Sequence, residues 1–355
     1  MDGHISANQK AFQSGGAIEI KLAGDTPFGK AGQTVTLNLA PTDVANADEL
    51  PTFLAGYANG EFLADQVSPP IPVEKSIGKY RQFSKINTFR RVDVKGSLQS
   101  KIPEVDAISA LSDYACVERF VGSFVPDTQA DEASYNMRTA AMKRCARAIK
   151  LDREYDLWTA LTTTGNWNAN NRVTLGATAQ WDTGSAKDPI GALHARIQAS
   201  LSPVNAIWMG EKLFHIFIRD ASVIDYAKSL LGNDGRMADA MSGDVLTLPG
   251  LPPIHVVKIK AESGTMGTTT IGYMLQDSVV LTRSIPGPIN DDEEIATSYT
   301  YRIRGNSGVG FETREFRVED RGSRGGTMIV AYEASYMAFN ANDVGGLITD
   351  AASTF

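Results

Sequence analysis

The polar and apolar positions in the first third of the chain predict short strands, separated by turns, and then a stiff strap. The stretches "AIEIKLAG" and "TVTLNLAP" alternate apolar and polar residues with a period of two, which is typical of half-buried strands. Pro69, Pro70 and Pro72 fix their own backbone angles and favour extended conformations in their neighbours. We therefore expect residues 67–73, the strap, to be rigid and non-helical and to set the direction of the segment that follows.

The segment beyond Gly78 is predicted to form a long arm. "KYRQFSKINTFRRVDVKG" alternates like a strand, and "YACVERFVGSFV", residues 114–125, is the predicted returning partner. The intervening loop, residues 86–112, is longer than most loops of compact domains and too polar to build its own core, which indicates a binding role. Its charged residues of both signs suit contact with another protein surface, and the candidates are Arg90, Arg91, Lys95, Lys101, Glu104 and Asp106.

A long helix is the clearest prediction from the pattern. From Thr128 to Thr164, apolar residues recur at helical spacing without an intervening Gly or Pro, and at ~1.5 Å per residue the helix would be roughly 50 Å long. Thr128 suits the N-cap, and Gly165 suits the exit. The residues predicted to form its buried face are Met137, Ala141, Ala148, Tyr155 and Trp158.

The rest of the chain alternates helical and extended patterns and predicts an α+β fold. "DPIGALHARIQASL" and "EKLFHIFIRD" have helical spacing, and "VNAIWMG" between them is typical of a short buried strand. "PPIHVVKIKA" predicts a strand and "TIGYMLQDSVVLTRS" a pair of strands. "FETREFRVED" and "TMIVAYEASYMAF", joined by "RGSRGG", predict a closing hairpin.

Composition and charge narrow the class of protein. The chain has 355 residues, 43% of them hydrophobic, and a net charge of -7, which argues against a DNA-binding regulator that works through a broad basic face. Two cysteines, Cys116 and Cys145, are too few for a disulfide scaffold and indicate a reducing compartment. Because no apolar run approaches ~20 residues and the start has no apolar signal core, we expect a soluble protein made in the cytoplasm, with no membrane partner.

Candidate chemistry is sparse. The four histidines, His4, His194, His215 and His255, lie in no metal-ligand or catalytic spacing. The stretch "GNSGVG" has neither the strand-to-helix context nor the consecutive Lys and Ser/Thr of a phosphate loop. The acidic run 291–294 is open to two interpretations, a divalent-cation site or a solvated loop. The basic residues Lys143, Arg147 and Lys150 share one helix face, which suits nucleic acid, a neighbouring chain or plain solvent. We predict no catalytic, cofactor or metal site, and therefore a protein of assembly and not an enzyme.

The order of these elements resembles that of major capsid proteins of tailed bacteriophages, which share the Hong Kong 97-type fold. The resemblance is carried by "ADQVSPPIPVEKSIGKY", "EYDLWTALTTTGNW", "VNAIWMGEKLFHIFIRD", "LQDSVVLTRS" and "FETREFRVEDRG", and it covers about residue 62 to the end. It implies an N-terminal arm (1–60), a strap and extended loop (61–127), a peripheral domain built on a long spine helix (128–187 and 297–355) and an α/β axial domain (188–296). The six charged loop residues then become predicted intersubunit contacts.

The resemblance also implies partners and a location. The chain would self-assemble into hexamers and pentamers of an icosahedral shell, touch packaged double-stranded DNA without sequence specificity, and reside in the virion after assembly in the host bacterial cytoplasm. No helical, charge-rich internal scaffold is visible near the start, so a separate scaffolding protein and a portal are expected. The alternative is an encapsulin-like bacterial nanocompartment shell, which shares the fold but packages enzymes.

Overall fold

The structure is a computed structural model that describes most of the chain after residue 58. The described residues are 18–21, 34–37, 59–91, 95, 108–133, 135–231, 241–262, 271–287, 294–304, 311–321 and 324–353. Contacts divide the chain into two compact units. The first comprises Met1–Tyr57, Phe124–Ala141 and Arg317–Met328, and the second comprises Ala58–Ser123, Met142–Phe316 and Ile329–Phe355.

The first unit contains the two strands predicted near the start of the chain. Strands β1 (Ile18–Lys21) and β2 (Thr34–Leu37) pair antiparallel, with Ile18 opposite Leu37. The unit also contains helix α3 (Asp127–Glu132), where Asp127 forms an ion pair with Arg317 and its backbone N–H donates to the carbonyl of Gly325 at 3.2 Å. Both predicted strands are thereby confirmed.

A seven-stranded mixed sheet is the centre of the second unit. Its strands, in spatial order, are β7 (Arg172–Thr174), β18 (Gly346–Thr349), β14 (Val279–Thr282), β8 (Ala206–Gly210), β11 (Ile254–Val257), β10 (Val245–Leu246) and β9 (Met241–Ser242). The β8–β11 and β7–β18 pairs are parallel and the other pairs antiparallel. The predicted strands of "VNAIWMG", "PPIHVVKIKA" and "DSVVLT" therefore lie in one sheet.

Both faces of this sheet are covered, because β8 alternates its side chains between two apolar cores. Ile207 and Met209 pack in one core with helices α5 (Pro189–Ala199), α6 (Glu211–Arg219) and α7 (Ala221–Leu231). Ala206 and Trp208 pack in the other, with residues from the end of the long helix. All five residues of β8 are buried, as expected for a strand with both faces covered.

A second sheet carries the strap. Its order is β16 (Phe311–Val318), β17 (Gly326–Phe339), β15 (Ser298–Ile303) and β3 (Pro70–Val73), with β6 (Val117–Pro126) also paired to β17. The prolines of β3 are tolerated because β3 is the last strand of its sheet. The strap is extended as predicted except at Val67, which ends the short helix α1 (Ala64–Val67). The adjacent β16 and β17 confirm the predicted closing hairpin.

Two further hairpins complete the second unit. Strands β4 (Ile77–Phe83) and β5 (Ser109–Ala115) pair along their full lengths, and β12 (Lys260–Glu262) pairs with β13 (Ile271–Tyr273). The returning partner of β4 was predicted at 114–125, and this was wrong over most of its length, because β6 joins β17 instead. The predicted long first strand was also too long, since a turn of helix, α2 (Ile86–Phe89), follows β4.

The predicted single helix from Thr128 to Thr164 is two helices. Helix α3 ends at Glu132, because the backbone of the next residue, Ala133, is extended. Helix α4 (Met137–Thr162) has 26 residues, or ~39 Å at 1.5 Å per residue. Asn136 provides the new start, because its side-chain oxygen accepts from the backbone N–H of Thr139 at 3.0 Å. The expectation failed because a helix can restart at an Asn cap without any Gly or Pro.

The predicted buried face of this helix was partly wrong. Ala141 and Trp158 are buried and Met137 is half-buried, but Ala148 is exposed and Tyr155 is 54% exposed. The buried positions instead follow a spacing of four and comprise Ala141, Cys145, Ile149, Arg153, Leu157 and Leu161, with Glu154 and Trp158 alongside. The predicted phase rested on apolar residues alone, whereas the observed buried side also includes the charged residues Arg153 and Glu154.

The observed pattern of buried residues along α4 leads to a testable prediction. Replacing Leu157, which is 2% exposed, with alanine should lower the free energy of unfolding by about 2–5 kcal/mol, because it removes buried methyl groups and leaves a cavity. Tyr155→Ala on the exposed side is the matched control and should change it by about 0.5 kcal/mol or less. Urea denaturation followed by circular dichroism measures both. A larger effect for the Tyr155 variant would contradict the observed phase.

Candidate assembly surface

The hairpin of β4 and β5, called the hairpin below, has one face against the protein and one face in solvent. Its register places Ile77 opposite Ala115 and Phe83 opposite Ser109. Tyr114 is buried and Tyr80 half-buried, whereas Ile77 is 71% and Leu111 62% exposed. Alternation along both strands therefore leaves large apolar side chains on the outer face, where a second protein surface would cover them.

The predicted contact residues lie in the loop beyond the hairpin. Arg90, Arg91 and Lys95 are exposed, while Lys101, Glu104 and Asp106 lie outside the described residues. The root of the loop is closed by hydrogen bonds: the backbone N–H of Ile108 donates to the side-chain oxygen of Asn87 at 2.9 Å, and the Asn87 amide donates to the Ile108 carbonyl at 3.0 Å. These two hydrogen bonds thus hold together the ends of the segment 88–107.

Three stacked tyrosines attach the hairpin to the second sheet. The ring of Tyr301 on β15 lies 5.1 Å from that of Tyr80 and 5.0 Å from that of Tyr114, centroid to centroid. Burial raises the pKa of Tyr301, so its phenol stays neutral in this cluster. The absence of a side chain at Gly78 leaves room for the Tyr114 ring, because a Cβ at residue 78 would lie 2.7 Å from the ring carbon Cζ.

Four charged side chains join α1 to the long helix and the second sheet. This charge cluster consists of Asp65 on α1, Arg153 on α4, Arg302 on β15 and Glu333 on β17. Glu333, which is 1% exposed, lies 3.0 Å from Arg153 and 3.0 Å from Arg302, and Asp65 lies 2.9 Å and 2.8 Å from the same two guanidinium groups. Each buried charge is thereby paired, which is the condition under which burial of charge is tolerated.

Glu154 adds a second link between α1 and α4. Its buried carboxylate accepts a hydrogen bond from the backbone N–H of Ala64 and another from the indole N–H of Trp158 at 2.9 Å. Burial raises the pKa of this carboxyl group, and these hydrogen bonds oppose the shift. The sequence contained one sign of this role, since Arg153 continues the four-residue spacing of Cys145 and Ile149 and Glu154 is the next residue.

Strand β6 is held against α4 by a further ion pair. The Arg119 side chain contacts Asp152 at 2.8 Å, pairs with Asp156, and donates to the hydroxyl of Ser335 at 3.0 Å. Desolvation opposes the charge of Arg119, yet the two carboxylates raise its pKa overall. Lys143, Arg147 and Lys150 are all exposed, as the predicted basic face requires.

The other chemical candidates are not brought together. His255 is half-buried and stacks on Trp208 at 4.5 Å, and burial lowers its pKa. His194 lies 6.1 Å from the ring of Tyr226, and His215 is exposed. His4, the "GNSGVG" stretch and the acidic run up to Glu293 lie outside the described residues, and Glu294 is exposed.

Within the part of the chain that the structure describes, no three His, Cys, Asp or Glu side chains form a group suited to a metal ion. No helix there is long and apolar enough to cross a membrane.

Two curated proteins are related to the chain in sequence, and no protein-family model matches it. The major capsid protein of Pseudomonas phage JBD67 is 24% identical over 205 residues, which cover 57% of this chain and 66% of that protein. The major capsid protein of Burkholderia phage BcepMu is 26% identical over 148 residues, which cover 41% of this chain and 48% of that protein. The chain therefore spans less than two thirds of the length of either relative.

Solved structures extend the similarity over most of the chain. A phage-related protein from Bordetella bronchiseptica RB50 has a TM-score of 0.61 at 19% identity and covers 83% of this chain and 93% of its own. The capsid of cyanophage P-SCSP1u has a TM-score of 0.56 at 11% identity, covering 86% and 92%. This is the Hong Kong 97-type capsid fold. An encapsulin, SrpI from Synechococcus elongatus PCC 7942, also matches, with a TM-score of 0.53 at 11% identity, covering 88% and 96%.

In this Hong Kong 97-type chain, side-chain and strand contacts connect the strap, the hairpin and the Arg153 region of α4 through β15. The charge cluster joins α1 to α4, β3 pairs in parallel with β15, and Tyr301 of the same β15 holds the hairpin. The α+β capsid fold expected from the order of elements is confirmed, although none of these side-chain links was predicted.

Removing the central carboxylate tests the charge cluster. Glu333→Ala should lower the free energy of unfolding by about 3–5 kcal/mol, because Arg153 and Arg302 would stay buried with only half-exposed Asp65 as a partner. The control is Asp113→Asn, which removes an exposed 3.6 Å pair with Lys79 and should cost about 0–1 kcal/mol. Equal effects of the two variants in urea denaturation would show that the cluster is not structural.

Crowding the tyrosine stack tests the attachment of the hairpin. Gly78→Ala should displace the Tyr114 ring and increase the amide hydrogen exchange of β4 and β5, while exchange in β8 and β14 stays unchanged. Gly176→Ala is the control, because nothing described lies within 4 Å of a Cβ at that position. Unchanged exchange in the hairpin of the Gly78 variant would argue against the stack as its anchor.

Proposed function

We propose that the protein is a major capsid protein that self-assembles into the icosahedral head shell of a tailed bacteriophage and encloses its double-stranded DNA. The observation that carries the proposal is the sequence relationship to two phage major capsid proteins in a chain that has the capsid fold. The role is structural and not enzymatic, and the protein resides in the virion capsid.

The geometry of the hairpin supports this role. A shell subunit has to reach its neighbours with a segment whose position is fixed relative to its own core. Here hydrogen bonds close the root of the loop, and the hairpin that carries the loop packs on Tyr301 of β15. The same strand contributes an arginine to the buried charge cluster. The exposed Ile77 and Leu111 and the charged residues Arg90 and Arg91 then supply apolar and polar contact on the same arm.

The net charge of the chain is also consistent with a shell that encloses DNA. A lining that gripped DNA through many uncompensated Lys and Arg residues would oppose packing and release of the genome, because each phosphate contact adds salt-sensitive affinity. The chain carries a net charge of -7, so contact with packaged DNA is weak and independent of sequence.

The parts of the chain receive the roles that the fold suggests. Residues 1–60 act as the N-terminal arm and 61–127 as the strap and extended loop, while 128–187 and 297–355 form the peripheral domain and 188–296 the axial domain. Hexamers and pentamers build the shell. A separate scaffolding protein and a portal assist assembly in the host cytoplasm.

An encapsulin-like shell that packages enzymes is the second candidate, and the structural match to SrpI supports it. At 11% identity that match concerns the fold, whereas the two sequence relatives are phage capsid proteins. The phage head is therefore the preferred function. Cargo separates the two candidates, since one shell holds DNA and the other protein.

Electron microscopy of the purified chain tests the proposal directly. Expression together with its native scaffolding protein should give closed icosahedral particles, and particles from infected cells should contain nuclease-protected DNA. A stable monomer or dimer at high concentration would contradict the shell. Particles that carry a co-purified enzyme and no DNA would favour the encapsulin-like alternative.

Excision of the loop tests its role between subunits. Replacing residues 90–107 with a short Gly-Ser linker removes all six predicted contact residues but keeps the Asn87–Ile108 closure, so the subunit should fold and closed shells should be lost. Circular dichroism and particle counts measure the two effects. In the intact chain, high salt should loosen particles before it unfolds subunits, since exposed ion pairs contribute about 0–1 kcal/mol each and are screened. Normal shells without the loop would refute the assignment.

A further inference from the structure

A strip of basic side chains runs along the exposed side of α4. This basic strip consists of Lys143, Arg144, Arg147 and Lys150. All four side chains are exposed, and all four residues belong to the second unit of the chain. At 3.6 residues per turn the four positions span an arc of about 120°, on the side of the helix opposite the buried Cys145 and Ile149. The strip is therefore a continuous surface and not a scatter of charges around the helix.

The carboxylates of the same helix do not neutralise the strip. Residues 142–151 include four basic and no acidic residues. Further along α4, Asp152 and Asp156 pair with Arg119 of β6, and Glu154 is buried against α1. Among the residues that the structure describes, no carboxylate forms an ion pair with any side chain of the strip. A chain with a net charge of -7 thus carries four positive charges within ~10 Å of helix.

The residues around these charges favour a nucleic acid over a second protein as the partner. In the stretch from Lys143 to Lys150, Cys145 and Ile149 are buried and the exposed apolar residue is Ala148. Protein–protein interfaces have a core in which aromatic residues are enriched and charged residues depleted, and this stretch offers no such core. The short side chain of Ala148 instead allows a phosphate backbone to approach the helix closely.

The spacing of the strip matches a strand of duplex DNA. Lys143 and Lys150 are seven residues apart, which corresponds to ~10 Å along the helix axis. One strand of B-form DNA presents a phosphate about every 3.4 Å of its axis, and therefore about three phosphates over the same length. The guanidinium groups of Arg144 and Arg147 suit bidentate contact with phosphate, and the lysines act as point charges. Contacts with phosphates carry no sequence information of their own.

We propose that the basic strip of α4 binds the phosphate backbone of the packaged double-stranded DNA, so that this side of α4 faces the interior of the shell. The inference rests on the proposed function and adds a specific contact surface to it. Because one subunit neutralises only about three to four phosphates, the contact is weak and sensitive to salt. Symmetry repeats the strip in every subunit, and the repeated strips meet the outermost layer of DNA.

The salt dependence of DNA binding tests the strip. Unassembled full-length subunits are titrated against a fluorescent duplex of about 20 base pairs and mixed sequence, from about 50 to 200 mM salt, and binding is read by anisotropy. Four phosphate contacts predict a slope of about -3.6 for log K against log salt, or a roughly 100-fold loss of affinity over this range. The variant that neutralises the strip should lower the steepness of the slope by about 3 to 4. Its substitutions are Lys143→Gln, Arg144→Gln, Arg147→Gln and Lys150→Gln.

A matched control removes the same charge from other places. Two lysines and two arginines at exposed positions on separate elements are replaced, and circular dichroism checks that both variants fold. The substitutions are Lys75→Gln, Arg219→Gln, Lys228→Gln and Arg304→Gln. This variant should keep the slope of the unchanged chain, because scattered charges do not share one DNA strand. Equal slopes for the two variants would overturn the inference, as would a slope near zero for the unchanged chain.

Lysine reactivity in particles of the unchanged chain tests the direction in which the strip faces. In DNA-filled particles Lys143 and Lys150 should react several-fold more slowly with a small amine reagent than in the same particles after DNA release and nuclease digestion, as measured by mass spectrometry. Equal reactivity in both states would overturn the inference and leave the proposed function standing, because the strip would then face outward or be covered by protein. Failure of the chain to form particles would overturn both.

Discussion

The pairing of the Glu333 carboxylate with two buried guanidinium groups is the interaction on which the strap, the long helix and the second sheet depend. A buried charge without a partner is strongly destabilising, so Glu333, Arg153 and Arg302 can be buried only if they meet. Their meeting fixes the rotation of α4, because Arg153 has to face the sheet. It also fixes α1, whose Asp65 pairs with the same two arginines.

The rotation of α4 explains other features of the molecule. With Arg153 inward, Ile149 and Cys145 lie one and two turns earlier on the same side and pack against Ala331 and Val121 of the sheet. Trp158 comes into edge contact with Trp208 of the central sheet, at 6.2 Å between ring centroids. The long helix thus contacts both sheets, and residues from different turns of it pack in two apolar clusters.

The sequence was sufficient for the elements that local pattern dictates and for their order. The strands of "VNAIWMG" and "TMIVAYEASYMAF" and the helices of "DPIGALHARIQASL" and "EKLFHIFIRD" were predictable because period and length agree in each. The phase of α4 was not predictable, because it depends on ion pairs with residues about 90 and 180 positions away. Nor was the pairing of β6 with β17, since strand partners are chosen by tertiary contacts.

The candidate site divides in the same way. The polar loop and its charges stand out in the sequence, and Arg90, Arg91 and Lys95 are exposed as contact residues need to be. Three other features depend on the register between β4 and β5. They are the loop closure by Asn87, the packing of the hairpin tyrosines on Tyr301, and the space for the Tyr114 ring beside Gly78. Register is not visible when the returning strand itself is assigned too late in the chain.

The prolines of β3 have a consequence for the solubility of newly made subunits. Pro69 and Val73 accept hydrogen bonds from Thr300 and Arg304, so these residues turn their polar backbone groups toward β15, and the alternate residues, Pro70 and Pro72, turn outward. The open edge of the sheet therefore presents no N–H group at two successive outward positions. A strand from another chain could form only part of a hydrogen-bonded ladder there, which discourages edge-to-edge aggregation.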